Sequence, residues 1–470
     1  MTVGAIKMRI TIIISIILLA AFLESPSAFL LVDNCPVSSP CTCSGSSGSS
    51  YIRCDSKSLS SIPTFKQSSY HVNKLYLYFY TNKLSIIFNN AFRNFSSINA
   101  SEIDLRLDGN KIKTIETNAF SGIENTTTSL HLQSNNLTTL PLAIGNLFKL
   151  RSLNILDNPL HSLDESVMSN IGRSLTSLSI DLNHFTEWPH ELHFLRVLHS
   201  LSVTHIPFSH LDIHAFHGFE QTLNYLYVIE SKLEKVPFAI CYLSHLLSFE
   251  FSYNSNLEQN KSSILEPCSK KLTSVLILKL DSNNLHIFPD IFSLFPSLTS
   301  VSLYNNKLQY IENTKVPSNS KLTSFSLQLN HFERIPYALN KLKSLSTINI
   351  LENHITTIET PDIAGLTSLT SLTIGYNPIT YISPNAFNLN SYLRKISLEH
   401  TNLDHVPVAV TNLTSMRHFY LSGMPIDCTC DDMSYLKQWN VSNIVTFRAN
   451  CSSSSETIKT YILNALQACP

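Results

Sequence analysis

The strongest constraint in this chain is a repeat. Leu130-His-Leu132-Gln-Ser-Asn135-Asn-Leu137 recurs as Leu153-Asn-Ile155-Leu-Asp-Asn158-Pro-Leu160 and as Ile348-Asn-Ile350-Leu-Glu-Asn353-His-Ile355. Aligned on the Asn column there are fifteen units, at Asn82, Asn110, Asn135, Asn158, Asn183, Ile206, Ser231, Asn254, Asn283, Asn306, Asn330, Asn353, Asn377, Thr401 and Met424, with a mean step of about 24 residues. A unit of that length cannot bury its own apolar face, so the units must stack and share one core. Two aliphatics spaced by two residues point to the same side of a strand. Fifteen such strands in parallel make a sheet roughly 70 Å long at about 4.8 Å per strand. The Asn column falls where the chain turns out of each strand, and there a buried amide can bond backbone groups left unpaired by the turn. Ile206 and Met424 lack that chemistry, so looser or differently satisfied turns are expected at those two units.

The outer side of the repeat has a regularity of its own. Six units carry a proline after the fourth aliphatic (Pro141, Pro189, Pro237, Pro289, Pro336, Pro407), and each is followed by a step of 23 residues. Others carry an Ala-Phe pair at Ala91-Phe92, Ala119-Phe120, Ala215-Phe216 or Ala386-Phe387 and tend to be longer. Proline fixes φ and lacks a donor, so the short units are expected to cross the convex side as extended chain. The Ala-Phe units are expected to hold a helical turn whose Phe plugs the core. The two types alternate through most of the array.

The ends set the compartment. Lys7 and Arg9, an apolar run from Thr11 to Leu23, and the small residues Ser25, Ser27 and Ala28 read as a secretory signal peptide over residues 1–28. No other stretch is apolar over the length of about 20 residues that a bilayer span requires. Lys plus Arg is 33 against 34 Asp plus Glu, a formal charge of −1, which gives no support for nucleic-acid binding. Secretion makes disulfides the default for the ten cysteines. Eight glycosylation sequons, at Asn94, Asn99, Asn125, Asn136, Asn260, Asn412, Asn440 and Asn450, agree with that route.

An open stack needs caps. Cys35, Cys41, Cys43 and Cys54 precede the first repeat, and Cys428, Cys430, Cys451 and Cys469 follow the last. Spacing alone leaves three connectivities for each group of four. With Trp439 between the later cysteines, the arrangement resembles the N- and C-terminal cysteine caps of secreted and cell-surface leucine-rich-repeat proteins. That resemblance implies the pairs Cys35–Cys43, Cys41–Cys54, Cys428–Cys451 and Cys430–Cys469. Cys241 and Cys268, 27 residues apart at neighbouring convex positions, are expected to staple adjacent repeats. The organisation is therefore a signal peptide (1–28), an N-terminal cap (29–71), about fifteen leucine-rich repeats (72–426) and a C-terminal cap (427–470). The fold class is α/β, a curved leucine-rich-repeat solenoid with the parallel sheet on its concave side.

Catalytic chemistry is absent from the pattern. No nucleophile elbow, phosphate-binding glycine loop or His-Glu-x-x-His motif occurs, and neither enzyme activity nor a cofactor is expected. His210, His214 and His217 invite a metal reading, but without a completing cysteine or carboxylate they read as surface histidines. The concave wall is where a partner is expected. In register it carries Tyr76, Tyr78, Tyr80, Tyr225, Tyr227, Tyr253, Tyr304, Tyr376 and Tyr420, and tyrosine gives large contact area at low entropic cost. Nine acidic positions there (Asp104, Asp108, Asp157, Asp181, Glu230, Glu250, Asp281, Glu352, Glu399) face three basic ones (Arg106, Lys279, Lys395), so a neutral or basic partner is expected.

The function this supports is a secreted protein-binding module for extracellular recognition or scaffolding, whose partner is an extracellular protein ligand and not a nucleic acid. Alternation of the two repeat types also resembles the non-catalytic subunit of the arthropod oplophorus-luciferin 2-monooxygenase. That resemblance implies a stabilising subunit whose partner is a secreted enzyme chain. A soluble receptor-like protein of innate immunity is the third reading.

Overall fold

A computed structural model describes residues 35–469 apart from 38, 47, 67–69, 258–263, 266 and 453. The signal-peptide expectation and the sequon at Asn260 lie outside the described residues. The chain forms two compact units, one running up to Asn136 with Asn146–Leu150, the other comprising Leu137–Gly145 and Arg151 onward.

In the first unit an antiparallel hairpin, Thr42–Ser46 with Ser49–Arg53, covers the end of the sheet. Its second strand pairs in parallel with Tyr70–Tyr78, which pairs with Ile98–Arg106, which in turn pairs with Thr127–His131. In the second unit the strands Ser152–Ile155, Ser177–Asp181, Ser200–Thr204, Tyr225–Ile229 and Ser248–Ser252 run parallel, and the ladder continues repeat by repeat to Thr446–Arg448. The register moves by one whole repeat at each step. Leu178, Leu201 and Leu226 make one row and Ile180, Val203 and Val228 the next, all of them buried. This is the leucine-rich-repeat solenoid expected from the spacing, with its aliphatic rows on one face and its polar positions on the other.

The Asn column is the joint between repeats. The Asn306 amide donates to Leu303 O at 3.1 Å and Tyr304 O at 3.3 Å in its own turn, and to Leu280 O of the preceding repeat at 2.9 Å. Its Oδ1 accepts from Asn283 N and Leu285 N, each at 3.0 Å. Asn110, Asn330, Asn353 and Asn377 repeat the pattern. The residue before each slot takes a left-handed φ, between 52° and 77° in fourteen of the fifteen units. Twelve of those fourteen are not glycine, although a side chain there costs roughly 1–2 kcal/mol. In ten of the fourteen an asparagine amide holds the turn closed against that cost; Ile206, Ser231, Thr401 and Met424 keep the same left-handed turn without one, so the turns at Ile206 and Met424 do not depart from the others in φ as expected.

Asn183 departs from the expectation. It is exposed, Leu182 is fully buried in its place, and no left-handed residue occurs in this turn. Burial of a leucine is worth about 1.5–3 kcal/mol, and Asp181 Oδ1 accepts the freed Asn183 N–H at 2.8 Å. Leu182 therefore takes the inward place.

The outer side reverses one expectation and matches another. The proline units are not extended: a 3-10 turn follows Pro141, Pro189, Pro237, Pro336 and Pro407, and a short helix follows Pro289. Where proline is the N-cap, its φ lies between −60° and −65°. The ring thus presets the turn, at a position whose N–H would have no partner in any case. Of the Ala-Phe units, the first follows Phe92 with a 3-10 turn, Arg93–Ser97, while those at Ala119, Ala215 and Ala386 form non-helical turns, and Phe92, Phe120, Phe216 and Phe387 are buried as plugs.

The disulfides of the structure are Cys35–Cys43, Cys41–Cys54, Cys241–Cys268, Cys428–Cys451 and Cys430–Cys469. Thiol labelling of denatured, non-reduced protein should therefore leave its mass unchanged. Two labels mapping to Cys241 and Cys268 would remove the inter-repeat staple alone.

The turn chemistry predicts unequal costs. Asn306→Leu strands several buried backbone groups and should cost on the order of 1–3 kcal/mol. Thr401 fills the same slot with a buried hydroxyl that has no partner among the described residues, so Thr401→Val should be neutral or stabilising. Asn183→Ala should also be near neutral. Equal losses for all three in denaturant unfolding would mean that the amide column does not close these turns.

Candidate protein-binding face

In the first unit the parallel pairing of Ser49–Arg53 with Tyr70–Tyr78 sets Tyr51 opposite Tyr76 and Arg53 opposite Tyr78. Tyr51 and Tyr76 stack at 4.6 Å with their planes 4° apart. Tyr78 lies 6.2 Å from Tyr51, 6.0 Å from Tyr76 and 5.8 Å from Tyr80. Cations cap the rings: Arg53 at 5.0 Å and Arg106 at 5.3 Å over Tyr78, and Lys74 at 5.0 Å over Tyr76. Contacts of this kind are worth about 0.5–1 kcal/mol each where exposed, and together they hold four rings in one arrangement. Burial pushes the Tyr78 hydroxyl up to about 12 despite the neighbouring Arg106. Burial, reinforced by Asp55, raises Tyr80.

Tyr51, Arg53 and Lys74 are members of this group that sequence reasoning missed. Tyr51 and Arg53 precede the first repeat, but their alternation with buried Ile52 and Cys54 matches that of Tyr76 and Tyr78 with buried Leu77 and Phe79. The alternation was the available signal.

In the second unit Tyr225 and Tyr227 stand on the same strand, with Tyr225 exposed and Tyr227 half-buried. Tyr227 lies opposite Glu250, whose carboxylate holds Lys279 Nζ at 3.2 Å. Tyr253 hydrogen-bonds Ser282 and neighbours Tyr304. Asp281 beneath them is pushed up to about 6 by burial, although Ser302 Oγ and Tyr304 N donate to it at 2.6 and 2.8 Å. Tyr376 is separate from that group and stacks on His400 at 4.5 Å. Tyr420 lies under Lys395 and Arg448 at 5.7 and 5.5 Å.

The face is less acidic than the residue count implied. Arg53 and Lys74 join the first unit's wall, where Arg106 also neutralises Asp104 at 3.2 Å. In the second unit His205 spans three successive repeats, with Nδ1 at 3.0 Å from Asp181 and Nε2 at 2.6 Å from Glu230. This clasp stands where the Asn column lapses, beside exposed Asn183, Ile206 and Ser231.

The other sequence-predicted positions are dispersed. His210 is 3.8 Å from Glu234, His214 faces Tyr242, and His217 is 3.4 Å from Glu220 and edge-on to His193. Among the described residues no three His, Cys, Asp or Glu side chains are placed to hold a metal ion. The sequon residues Asn94, Asn99, Asn125, Asn136, Asn412, Asn440 and Asn450 are exposed, although the Asn94 amide donates to Phe65 O at 2.7 Å.

Comparison with known proteins agrees with this architecture. A leucine-rich-repeat family model matches residues 320–379 and 367–426, and one for the BspA-type leucine-rich-repeat region, in six copies, matches 63–191. The volume-regulated anion channel subunit LRRC8D of Rattus norvegicus is 26% identical over 200 residues, covering 42% of this chain and 23% of that subunit. LRRC8A of Homo sapiens is 24% identical over 199 residues, 42% and 24% of the two chains. This chain thus spans about a quarter of the length of these relatives. Among solved structures, the Leptospira interrogans leucine-rich-repeat protein LIC12759 aligns with a TM-score of 0.61 and 21% identity over 83% of this chain and 94% of that one. The Drosophila Toll–Spatzle complex aligns at 0.60 and 15%, over 82% and 56%. No helix among the described residues is long and apolar enough to cross a membrane.

The clasp makes stability depend on pH. Hydrogen bonds to Asp181 and Glu230 push the His205 imidazole up to about 10, and the bond to His205 holds Glu230 below its usual range. A raised histidine stabilises fully below its unfolded value of about 6.5, and that stabilisation drains as pH climbs through the folded value. The Glu230 share is present above about 4.3 and is lost as pH falls. His205→Gln should therefore unfold at lower temperature than wild type near pH 6, with the gap closing towards pH 10. A gap that is the same at both pH values would show that His205 is not held charged by these carboxylates.

Proposed function

We propose that this leucine-rich-repeat protein is a secreted protein-binding module whose partner docks on the solvent face of its sheet. Assignment to the leucine-rich-repeat class rests on the repeat, the two family matches and the parallel ladder. The observation that carries the binding reading is the tyrosine cluster of the first unit, where rings and cations are fixed before any partner arrives. Side chains already ordered lose little entropy on binding, and aromatic anchors usually dominate an interface. Tyr225 and Tyr227 offer a second patch of the same chemistry on the second unit.

An extracellular setting is supported by five disulfides, which persist in oxidising compartments, and by exposed sequon asparagines. Toll, of similar fold, was solved in complex with Spatzle, so a partner protein is a reasonable class of ligand for this sheet. A channel role is not proposed, because the likeness to the channel subunits covers about a quarter of them. The second reading, a non-catalytic stabilising subunit of a secreted enzyme, draws on the alternation of proline and Ala-Phe units. It uses the same face and differs in the partner.

Affinity capture with the mature chain, followed by mass spectrometry, should return a stoichiometric partner. An enzyme chain would select the second reading. With that partner in hand, Tyr225→Ala with Tyr227→Ala, or Tyr76→Ala with Tyr51→Ala, should weaken binding by at least about 2 kcal/mol. Wild-type affinity in both double variants, with melting unchanged, would remove the sheet face as the site.

A further inference from the structure

We propose that the second unit carries an anion-binding cleft at the strand exits, bordering the tyrosine-bearing sheet face, that takes a tetrahedral oxyanion such as a sulfate or phosphate ester group. The cleft has a volume of about 410 Å³ and is lined by Asn284, Asn305, Lys307, His331, Glu352 and His354 along with the turn asparagines. Its basic groups come from one column. Lys307, His331 and His354 each follow a turn asparagine by one residue, so stacking of the repeats delivers one basic side chain per step. The backbone fixes the spacing: the N–H groups of these three residues donate to Leu285, Leu308 and Phe332 carbonyls at 2.8, 2.9 and 2.9 Å. The rings of His331 and His354 then stack at 5.4 Å with planes 20° apart.

This column is not neutralised by neighbours. None of the three residues has an ion-pair partner among the described residues, whereas Lys279, Lys315 and Arg334 all do. Burial, and then His354, Lys307 and His286, lower the proton affinity of His331, as expected for an imidazole among cations. The charged groups facing it are few. Glu352 on the cleft wall accepts from Gln328 Nε2 at 3.0 Å. On the far side of His331 lie Glu333 and the Arg334–Asp362 pair, in which Arg334 Nη2 meets both carboxylate oxygens at 3.0 Å.

The donor set selects the ligand class. An ammonium, two imidazoles and two side-chain amides present more N–H groups than the two oxygens of one carboxylate can accept. Asn305 spends one amide hydrogen on Ser282 Oγ at 2.9 Å and retains the other. The volume exceeds that of one ion and leaves room for the group that bears the ester. Because imidazoles gain charge as pH falls, binding should take up protons and tighten on acidification.

The test uses the full chain with inorganic sulfate and inorganic phosphate, each compared with sodium chloride and sodium acetate at equal ionic strength. The readout is the histidine ring-proton resonances. At about pH 5.5, sulfate or phosphate should shift His331 and His354 saturably, with at least about tenfold weaker affinity at about pH 7.5. The tighter of the two distinguishes a sulfated from a phosphorylated source. Lys307→Ala should abolish most of the shift at His331 while leaving the melting temperature unchanged, and His354→Gln should weaken the pH dependence. Responses matched by chloride or by acetate, or an undiminished response in folded Lys307→Ala, would overturn the assignment.

Discussion

Everything in this molecule depends on the side-chain amide that joins one repeat to the next. Asn82, Asn110, Asn135, Asn306, Asn330, Asn353 and Asn377 each bond carbonyls of their own turn and of the repeat or cap before, so a single residue both closes the turn and sets the register of the stack. The carbonyls and N–H groups it satisfies are buried, and such groups cost about 1–3 kcal/mol when left unpaired. A left-handed residue stands immediately before the turn asparagine in ten repeats, and the same turn persists before Ile206, Ser231, Thr401 and Met424, where no amide is present. The consequence is geometric. Side chains at equivalent positions fall into straight columns, so a tyrosine, a carboxylate or a histidine placed once per repeat meets its counterpart in the next.

The columns explain where chemistry accumulates. On the sheet face they bring Tyr51 onto Tyr76 and Arg53 and Arg106 onto Tyr78. At the strand exits they gather Lys307, His331 and His354. Where the amide column lapses, an ionic contact takes over: His205 binds Glu230 in the next repeat and Asp181, the partner of Thr204 in register, in the repeat before. An exposed ion pair is normally worth little, but here one imidazole serves two carboxylates across repeats that lack the usual amides.

Much of this was legible in the sequence because it is periodic. The aliphatic pairs and the asparagine slots recur at a step of about 24 residues, the Ala-Phe pairs sit at a matching place in four of those units, and burial follows the repeat. What escaped the sequence depended on competition or on contacts outside the period. Asn183 fits its column by spacing, yet Leu182 next to it takes the core. The prolines were read as markers of extended chain, whereas their fixed φ starts a 3-10 turn. Tyr51 and Arg53 lie in the capping hairpin and were invisible to a search by repeat register. His205 was not counted on the wall, so the carboxylates it neutralises were read as free charge.

The central claim is that the sheet face, and not the outer turns, receives the partner. Hydroxyl-radical footprinting of tyrosines with and without the captured partner tests it most directly, since the chain carries exposed tyrosines on both sides: Tyr225 and Tyr376 on the sheet side, and Tyr337 and Tyr392 among the outer turns and loops. The account predicts that Tyr76, Tyr225 or Tyr227 loses reactivity in the complex while Tyr337 and Tyr392 react as before. Protection of Tyr337 and Tyr392 with the sheet tyrosines unchanged would contradict it.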